Sequence, residues 1–568
     1  MRIGSCSGFY GDRLSAMREM LEGGALDVLT GDYLAELTLL ILGRDQLKDP
    51  GLGYARTFVR QAEDCLGLAL EKGVRIVSNA GGLNPAGLAA RLREIARGLG
   101  LDPVIAHVEG DDLRPLGLWS GALTANAYLG GFGIAAALRG GADVVVTGRV
   151  TDASLVVGPA VAHHGWSDTA YDELAGAVVA GHVLECGTQA TGGNFSGFVS
   201  LDRSRPLGFP LAEIAADGSS VVTKHDGTGG AVNLDTVTAQ LVYEIQTTRY
   251  LGPDVTTLLD TVRLEQVGPD RVAVRGVRGE APPERLKVCV NGLGGFRNAV
   301  ELVLTGLDIE AKDAWVRAQL TAALAARPPA SVTWSRTSAP HLDADTEEAA
   351  SCLLRCTVKD PSPDPVGKPF TSAVVELALA SYPGFTMTGP PAAPTPYGVY
   401  RAEYVDRGAV TQSVVHGDGR REVVAEPTVF TTQEPPAGHG QRPSPYPAPP
   451  DVRTRRLPLG TFVHARSGDK GGDANLGLWV THDDPHRYDA RVTWLSKVVT
   501  PSRVRALVPE AVDLDVEVFL LPHLGAVNVL IHGLLGEGVA ASTRFDPQAK
   551  GLGEWVRSRL VAIEESLL

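Results

Sequence analysis

Two rhythms of apolar residues alternate along the first 165 positions. Short runs rich in Val, Ile and Leu lie at 2–7, 26–30, 74–79, 103–108 and 142–147. Each is too short for a stable helix and reads as a strand. Between them, apolar residues recur three and four positions apart at 14–22, 54–72, from Pro85, 122–138 and 153–163. That spacing is the stripe of an amphipathic helix. Gly73 and Gly165 stand where helices should stop, and Pro85 where one should start. Strands alternating with helices predict right-handed βαβ units on a parallel sheet. Residues 1–195 are therefore expected to form an α/β parallel-sheet domain.

After about residue 195 the pattern loosens. Extended runs at 213–215 and 221–224 flank the turn Asp217-Gly218. A helix is expected at 236–243, strand-like alternation at 263–290, helices at 312–326 and 371–381, and an edge pair at 399–403 and 410–415. This α+β region, 196–425, is expected to complete the large domain. Eight prolines between Glu426 and Asp451 exclude a packed element, so 426–455 reads as a semi-rigid linker. Strand patterns at 459–465, 476–480, 512–519 and 526–531, with helices at 502–508 and 551–568, predict a C-terminal two-layer α+β domain over 456–568.

Composition narrows the partners more than it changes the fold. With 568 residues, 44% of them hydrophobic and 21% charged, the chain reads as globular with ample core. A net charge of −14 supplies no basic surface for nucleic acid or membrane. No run of 18 uncharged apolar residues occurs, so neither a spanning helix nor a signal peptide is expected. The six scattered cysteines fit a reducing cytoplasm rather than a disulfide framework. Cys352 and Cys356 lack the second pair that a zinc site needs. The expected partners are a small-molecule substrate and further copies of the chain.

Candidate chemistry collects at the strand ends. In parallel sheets ligands bind beyond the carboxyl ends of the strands. Those ends carry Asp12, Asp32 and Glu36, Asn79 and Asn84, residues 109–112, and Arg149 with Asp152. Asp12 stands where the first helix begins, as an ordinary N-cap or beside N–H groups that hold an anion. Arg149 is placed to grip a carboxylate with two parallel hydrogen bonds, or only to shape its loop through Asp152. The densest stretch is 180–195. His182, Glu185 and Cys186 share one face if the helix expected at 174–184 runs that far. Gln189 and Asn194 bracket Gly192-Gly193, where side chains leave room for a ligand. A capped helix end would look the same. Lys224 and Thr228, in and beside Asp226-Gly227-Thr228-Gly229-Gly230, form an anion nest or a plain connector. Asp469, Lys470 and Asn475, with Arg466, lie in a glycine-bracketed loop that holds an anion or pairs internally. Three mixed ligands crowded at 182–186 make an unusual metal site, and no metal is assigned.

The runs Gly-His-Val-Leu-Glu-Cys-Gly-Thr-Gln (181–189), Gly-Arg-Val-Thr-Asp (148–152), Asp-Gly-Thr-Gly-Gly (226–230), Ser-Gly-Asp-Lys-Gly-Gly-Asp-Ala-Asn (467–475) and Ser-Gly-Phe-Tyr-Gly-Asp-Arg (7–13) carry a resemblance. Together they make the chain similar to the acyclic terpene utilisation protein A family over nearly its whole length. The 467–475 run resembles the smaller ferredoxin-like domain often attached to that family's large domain. The resemblance implies a place in the breakdown of citronellol- and geraniol-type acids as CoA thioesters, without fixing the substrate or the chemistry.

Two classes of function follow. The first is an enzyme of lyase or hydratase type acting on a carboxylic acid or its acyl-CoA thioester. It needs a base, a holder for the developing enolate oxygen and an anchor. Glu185 or Asp152 serves as base and Arg149 as anchor. Cys186 offers a separate route, acyl transfer or hydrolysis, if His182 depresses its thiol pKa. The second class is a non-catalytic acyl-binding or assembly subunit. No cofactor is firmly implied, and CoA enters only as part of a substrate. A single pocket, walled by the strand-end loops, the 185–194 turn and the 467–475 loop, is the expectation that unites these runs.

Overall fold

The structure is a computed structural model that describes residues 1–431 and 453–568. Most of the linker expected at 426–455 lies outside the described residues. Within its described part, Glu426 pairs with Arg407 and the Thr431 N–H donates to the Pro282 carbonyl.

The centre of the molecule is an eleven-stranded sheet. Five strands run parallel in the order Arg2–Ser5, Val28–Gly31, Arg75–Ser78, Val144–Thr147 and Ile105–Glu109. These strands are largely buried, which is why they read as continuous apolar runs. Helices Ala16–Gly23, Arg56–Glu71, Pro85–Gly98 and Phe132–Arg139 lie between them in sequence, and Ser154–His164 follows the last. Pro85 opens its helix behind the Asn84 cap, and Gly165, at φ 73°, ends another in the left-handed conformation.

The sheet does not stop at residue 195. Pro210–Ile214 pairs antiparallel with Arg2–Ser5 and leads outward to Ser220–Lys224, Arg271–Arg275 and Arg263–Gly268. At the other edge, Ser413–Val415 and Arg421–Val423 extend the sheet beyond Ile105–Glu109. The chain divides instead into two compact units. The second comprises residues 292–399 and 540–547 and packs helices Ile309–Leu324 and Lys368–Glu376 on antiparallel strands.

Several expected elements take another form. Residues 122–138, read as one helix, are a strand, Ala122–Ala127, followed by the helix Phe132–Arg139. The alanines favour helix, but pairing with the long strand Arg285–Thr305 overrides that propensity, and Gly130-Gly131 separates the two elements. The edge pair expected at 399–403 and 410–415 splits between two sheets. The helices Glu36–Lys48 and Tyr488–Val498 were not anticipated. The C-terminal helix expected at 551–568 is a short helix, Leu552–Ser558, then a strand, Leu560–Glu564.

The loop at 466–475 is a β-hairpin. Val463–Lys470 and Asp473–Val480 pair in register around Gly471-Gly472, and Gly471 takes φ 67°, the turn conformation that favours glycine. This hairpin forms a four-stranded antiparallel sheet with Ala526–Ile531 and Val516–Leu521.

Candidate active site

Arg149 follows the strand Val144–Thr147 directly. Its backbone N–H donates to Asp111 Oδ2 at 2.8 Å. Gly148 leaves room for that carboxylate, since a Cβ there would lie 2.4 Å from Asp111 Oδ1. The Arg149 guanidinium is 2% exposed, ion-paired through Nη1 with Asp152 and stacked 4.3 Å from the Tyr128 ring centre. Its Nε is buried without a hydrogen-bond partner.

Around it stand further charges. Asp32 accepts from Asn79 Nδ2 at 2.7 Å, and Asn79 Oδ1 accepts from the Tyr33 N–H at 2.8 Å. Burial first, then the charge of Asp152, pushes the Asp32 carboxyl far up despite Arg149. Glu36 accepts from the Tyr128 hydroxyl at 2.9 Å. Burial alone would raise Glu36, but Lys287, Arg149 and Lys470 outweigh it and hold the carboxyl at about 2.

His182 and Glu185 come from the last turn of the helix Tyr171–Leu184 and its cap. Their Nδ1 and Oε1 atoms lie 3.0 Å apart, off the line that a hydrogen bond needs. Both ring nitrogens and Glu185 Oε2 are buried without partners. Burial raises Glu185, His182 pulls it down, and Asp152 and Glu244 add to the rise, leaving it above the usual carboxylate range. Burial disfavours the His182 imidazolium, but Glu185 outweighs that and raises the ring. The Tyr250 ring lies 5.3 Å from His182 and feels the charges of Glu185, Asp152, Glu244 and Arg149. Arg149, Asp152, His182 and Glu185 thus belong to one electrostatic cluster.

The C-terminal hairpin reaches the same cluster. Arg466 donates to the Gln189 side chain and, at 2.7 Å, to the Asn194 carbonyl. Asn475 Oδ1 accepts from the Glu244 N–H at 2.7 Å. Glu244 sits at φ 55°, a left-handed conformation that costs a non-glycine residue free energy. Asp469 is raised to about 7 by burial and by Glu244. Lys470 lies 5.9 Å from the Tyr250 ring centre.

Other expected residues have structural work instead. Asp12 does not cap the first helix; its carboxylate accepts from the Gly8 and Arg13 N–H groups and closes the loop. Asn84 caps Pro85–Gly98 by accepting from the Gly87 N–H at 2.9 Å, and Asn79 holds Asp32 in place. Lys224 Nζ donates to the Thr228 carbonyl and pairs with Asp270, while the Thr228 hydroxyl donates to the His225 carbonyl. The neighbouring N–H groups of Gly229, Gly230 and Ala231 donate to the carbonyls of Pro206, Asp202 and Thr191, so these three are not open to an anion. Cys186 does not fit a nucleophile. Burial, then Glu244 and Glu185, drives its thiol far up, opposite to what thiolate chemistry requires.

Lys287, Tyr128, Tyr250, Tyr400 and Glu244 join the cluster without the glycine brackets that mark the sequence runs. One signal was available: Lys287 interrupts the apolar strand residues Leu286, Val288, Cys289 and Val290.

Among the described residues no helix is long and apolar enough to cross a membrane. No curated protein and no solved structure matches the chain. The family model for the acyclic terpene utilisation family protein AtuA matches residues 1–416. The model for the AtuA ferredoxin-like domain matches residues 457–562 and covers the hairpin that reaches Gln189 and Glu244. Both halves of the charged cluster thus fall within stretches that this family defines, and the chain belongs to the acyclic terpene utilisation family.

Proposed function

We propose that the chain is an enzyme of acyclic terpene utilisation that moves a proton beside the carbonyl of a small carboxylic acid or its acyl thioester, as lyases and hydratases do. The carrying observation is the buried His182–Glu185 pair, whose ring nitrogens and Oε2 have no hydrogen-bond partner. Interiors leave few polar atoms unmatched, and each costs free energy. Three of them in one contact, beside a buried arginine, are accounted for by a ligand that completes them.

Each group then has a task. Glu185, raised above the usual carboxylate range, takes the proton from carbon and returns it. Its basicity depends on ionisation, so activity rises as pH climbs through its elevated pKa. His182 stabilises the ionised carboxylate. Arg149 orients Asp152 through their ion pair, and Asp152 is the second proton carrier. The developing charge on the carbonyl oxygen meets the cations of the cluster. The large number of buried titratable groups favours this reading over a purely structural subunit.

The test is deuterium exchange beside the carbonyl of citronellate, geranate and their CoA thioesters, followed by mass spectrometry. At least one should exchange in D2O. Glu185→Gln should slow it at least about a hundredfold, with Tm nearly unchanged. Binding without any exchange would favour the acyl-binding subunit and sink the catalytic reading.

A further inference from the structure

Two lysines in this cluster have no matching carboxylate. Lys287 comes from the strand Arg285–Thr305 of the large domain and Lys470 from the C-terminal hairpin. Among the described residues, no carboxylate stands within ion-pair distance of either ammonium. Lys287 Nζ instead faces two rings, 4.8 Å from the centre of Tyr128 and 5.9 Å from that of Tyr400. Tyr400 also touches the hairpin turn: a Cβ on Gly471 would lie 2.8 Å from its ring. One tyrosine therefore stands beside Lys287 and against the residue that follows Lys470. Its hydroxyl is buried, lies close to Tyr128 and has no aligned hydrogen-bond partner.

The electrostatics agree with that geometry. Burial lowers the Lys287 ammonium, Glu36 opposes this, and Lys470 and Arg149 lower it further. Glu36 is the nearby anion, but one of its oxygens is already taken by the Tyr128 hydroxyl. In the same cluster, Glu185 and Asp469 are raised and hold protons more readily. The site thus combines cations outside ion-pair distance of any described carboxylate with acids that hold their protons. Lys287 is desolvated and has a second ammonium nearby, and no described carboxylate is within ion-pair distance of either, an arrangement that something negative would stabilise.

We propose that Lys287 and Lys470, one from each domain, jointly bind an anionic group of the ligand beside Tyr400, whose hydroxyl completes the site. This rests on the preceding proposal only in taking the same cluster as the ligand site. The shared chemistry is a carboxylate or phosphate oxygen. Because one lysine belongs to each domain, the bound anion also clamps the ferredoxin-like domain onto the large domain.

The test is calorimetric titration of the full chain with citronellate, coenzyme A and inorganic phosphate. Lys287→Met, Lys470→Met and Glu185→Gln are compared with the unaltered protein. Expected is a loss of affinity of at least about tenfold in each lysine variant, none in Glu185→Gln, and partial recovery in Lys470→Arg. If citronellate binding falls and phosphate is unaffected, the anion is the substrate carboxylate. If coenzyme A and phosphate binding fall, it is a cofactor phosphate. Affinities within twofold for all probes, or no binding of any probe by the unaltered protein, would overturn the proposal. Should Lys287→Met fail to fold, the hairpin variant Lys470→Met decides alone. Absence of exchange in the unaltered protein while a probe still binds through both lysines touches only the proton-transfer reading, so the two can fail separately.

Discussion

Residues 224–230 and 466–475 look alike in sequence. Each sets lysine and aspartate among glycines and suits an anion. The structure treats them in opposite ways. Lys224 Nζ is 3.0 Å from the Thr228 carbonyl and 3.3 Å from Asp270, and the N–H groups of Gly229 and Gly230 beside it are engaged. Lys470 has no carboxylate partner among the described residues, and Asp469 beside it is raised to about 7. The first run is a closed knot at the sheet's edge. The second is a hairpin carried into a buried cluster whose polar atoms remain unmatched. Composition marks both as polar turns; only the accounting of partners separates a stabilising turn from a binding one. Matched groups should affect stability when removed, and unmatched groups should affect binding.

The largest expected effect is on Arg149, which is matched at Asp152 yet lies in the cluster. Arg149→Met leaves Asp152 without its countercharge and removes the stack on Tyr128. A loss of about 3–5 kcal/mol is expected in chemical denaturation. Arg149→Lys should also lose stability, because the lysine lacks the planar fork at a 2% exposed site. Stability unchanged in both would mean that the arginine is held for binding alone. Next comes Lys224→Met, expected to cost about 1–2 kcal/mol by stranding the Thr228 carbonyl and Asp270. Its ligand affinities should stay within twofold of the unaltered chain. A tenfold loss of affinity there would erase the contrast with Lys470.

Much of this fold could be read in the chain. The five parallel strands were legible because both faces are buried, so Val144, Val145 and Val146 form an unbroken apolar run. Residues 122–127 were not, because alternating small residues also suit a helix and the strand partner is remote in sequence, Asn291 beside Thr124 being 167 positions away. Within the candidate site, Arg149, Asp152, His182 and Glu185 announced themselves by spacing and by glycines. Lys287, Tyr400 and Glu244 did not. Lys287 only interrupts an apolar strand run, Tyr400 and Glu244 do not stand out in theirs, and all three become informative only when folding sets them against a charge from another element. Asn84 and Thr228 misled for the converse reason: a cap and a turn use the residue types that a ligand site uses.

The smallest effect concerns Asp469, and its sign is what matters. Burial and Glu244 raise this carboxyl from an ordinary 3.8 to about 7, with Lys550 opposing. The unfolded chain loses the proton near 4, whereas the folded chain keeps it to about 7. Between those values the folded state binds more protons, so rising pH favours unfolding. Asparagine does not titrate and stays neutral. Asp469→Asn should therefore gain stability relative to the unaltered protein as pH rises from 4 to 7, with little further change above 8. A tenfold difference in proton affinity between the folded and unfolded chain is worth about 1.4 kcal/mol, but the variant also loses attraction to Lys550. A net gain on the order of 1 kcal/mol at pH 8 is expected from denaturant midpoints measured at each pH. Asp270→Asn, beside Lys224, should do the opposite. Its carboxylate pairs with Lys224 and accepts from the Val232 N–H at 2.8 Å, so the substitution should destabilise at pH 8. Two aspartates in similar sequence settings would then differ in sign. If both variants lose stability at pH 8, the C-terminal hairpin is held by its charges as the 224–230 turn is, and the distinction between matched and unmatched runs fails.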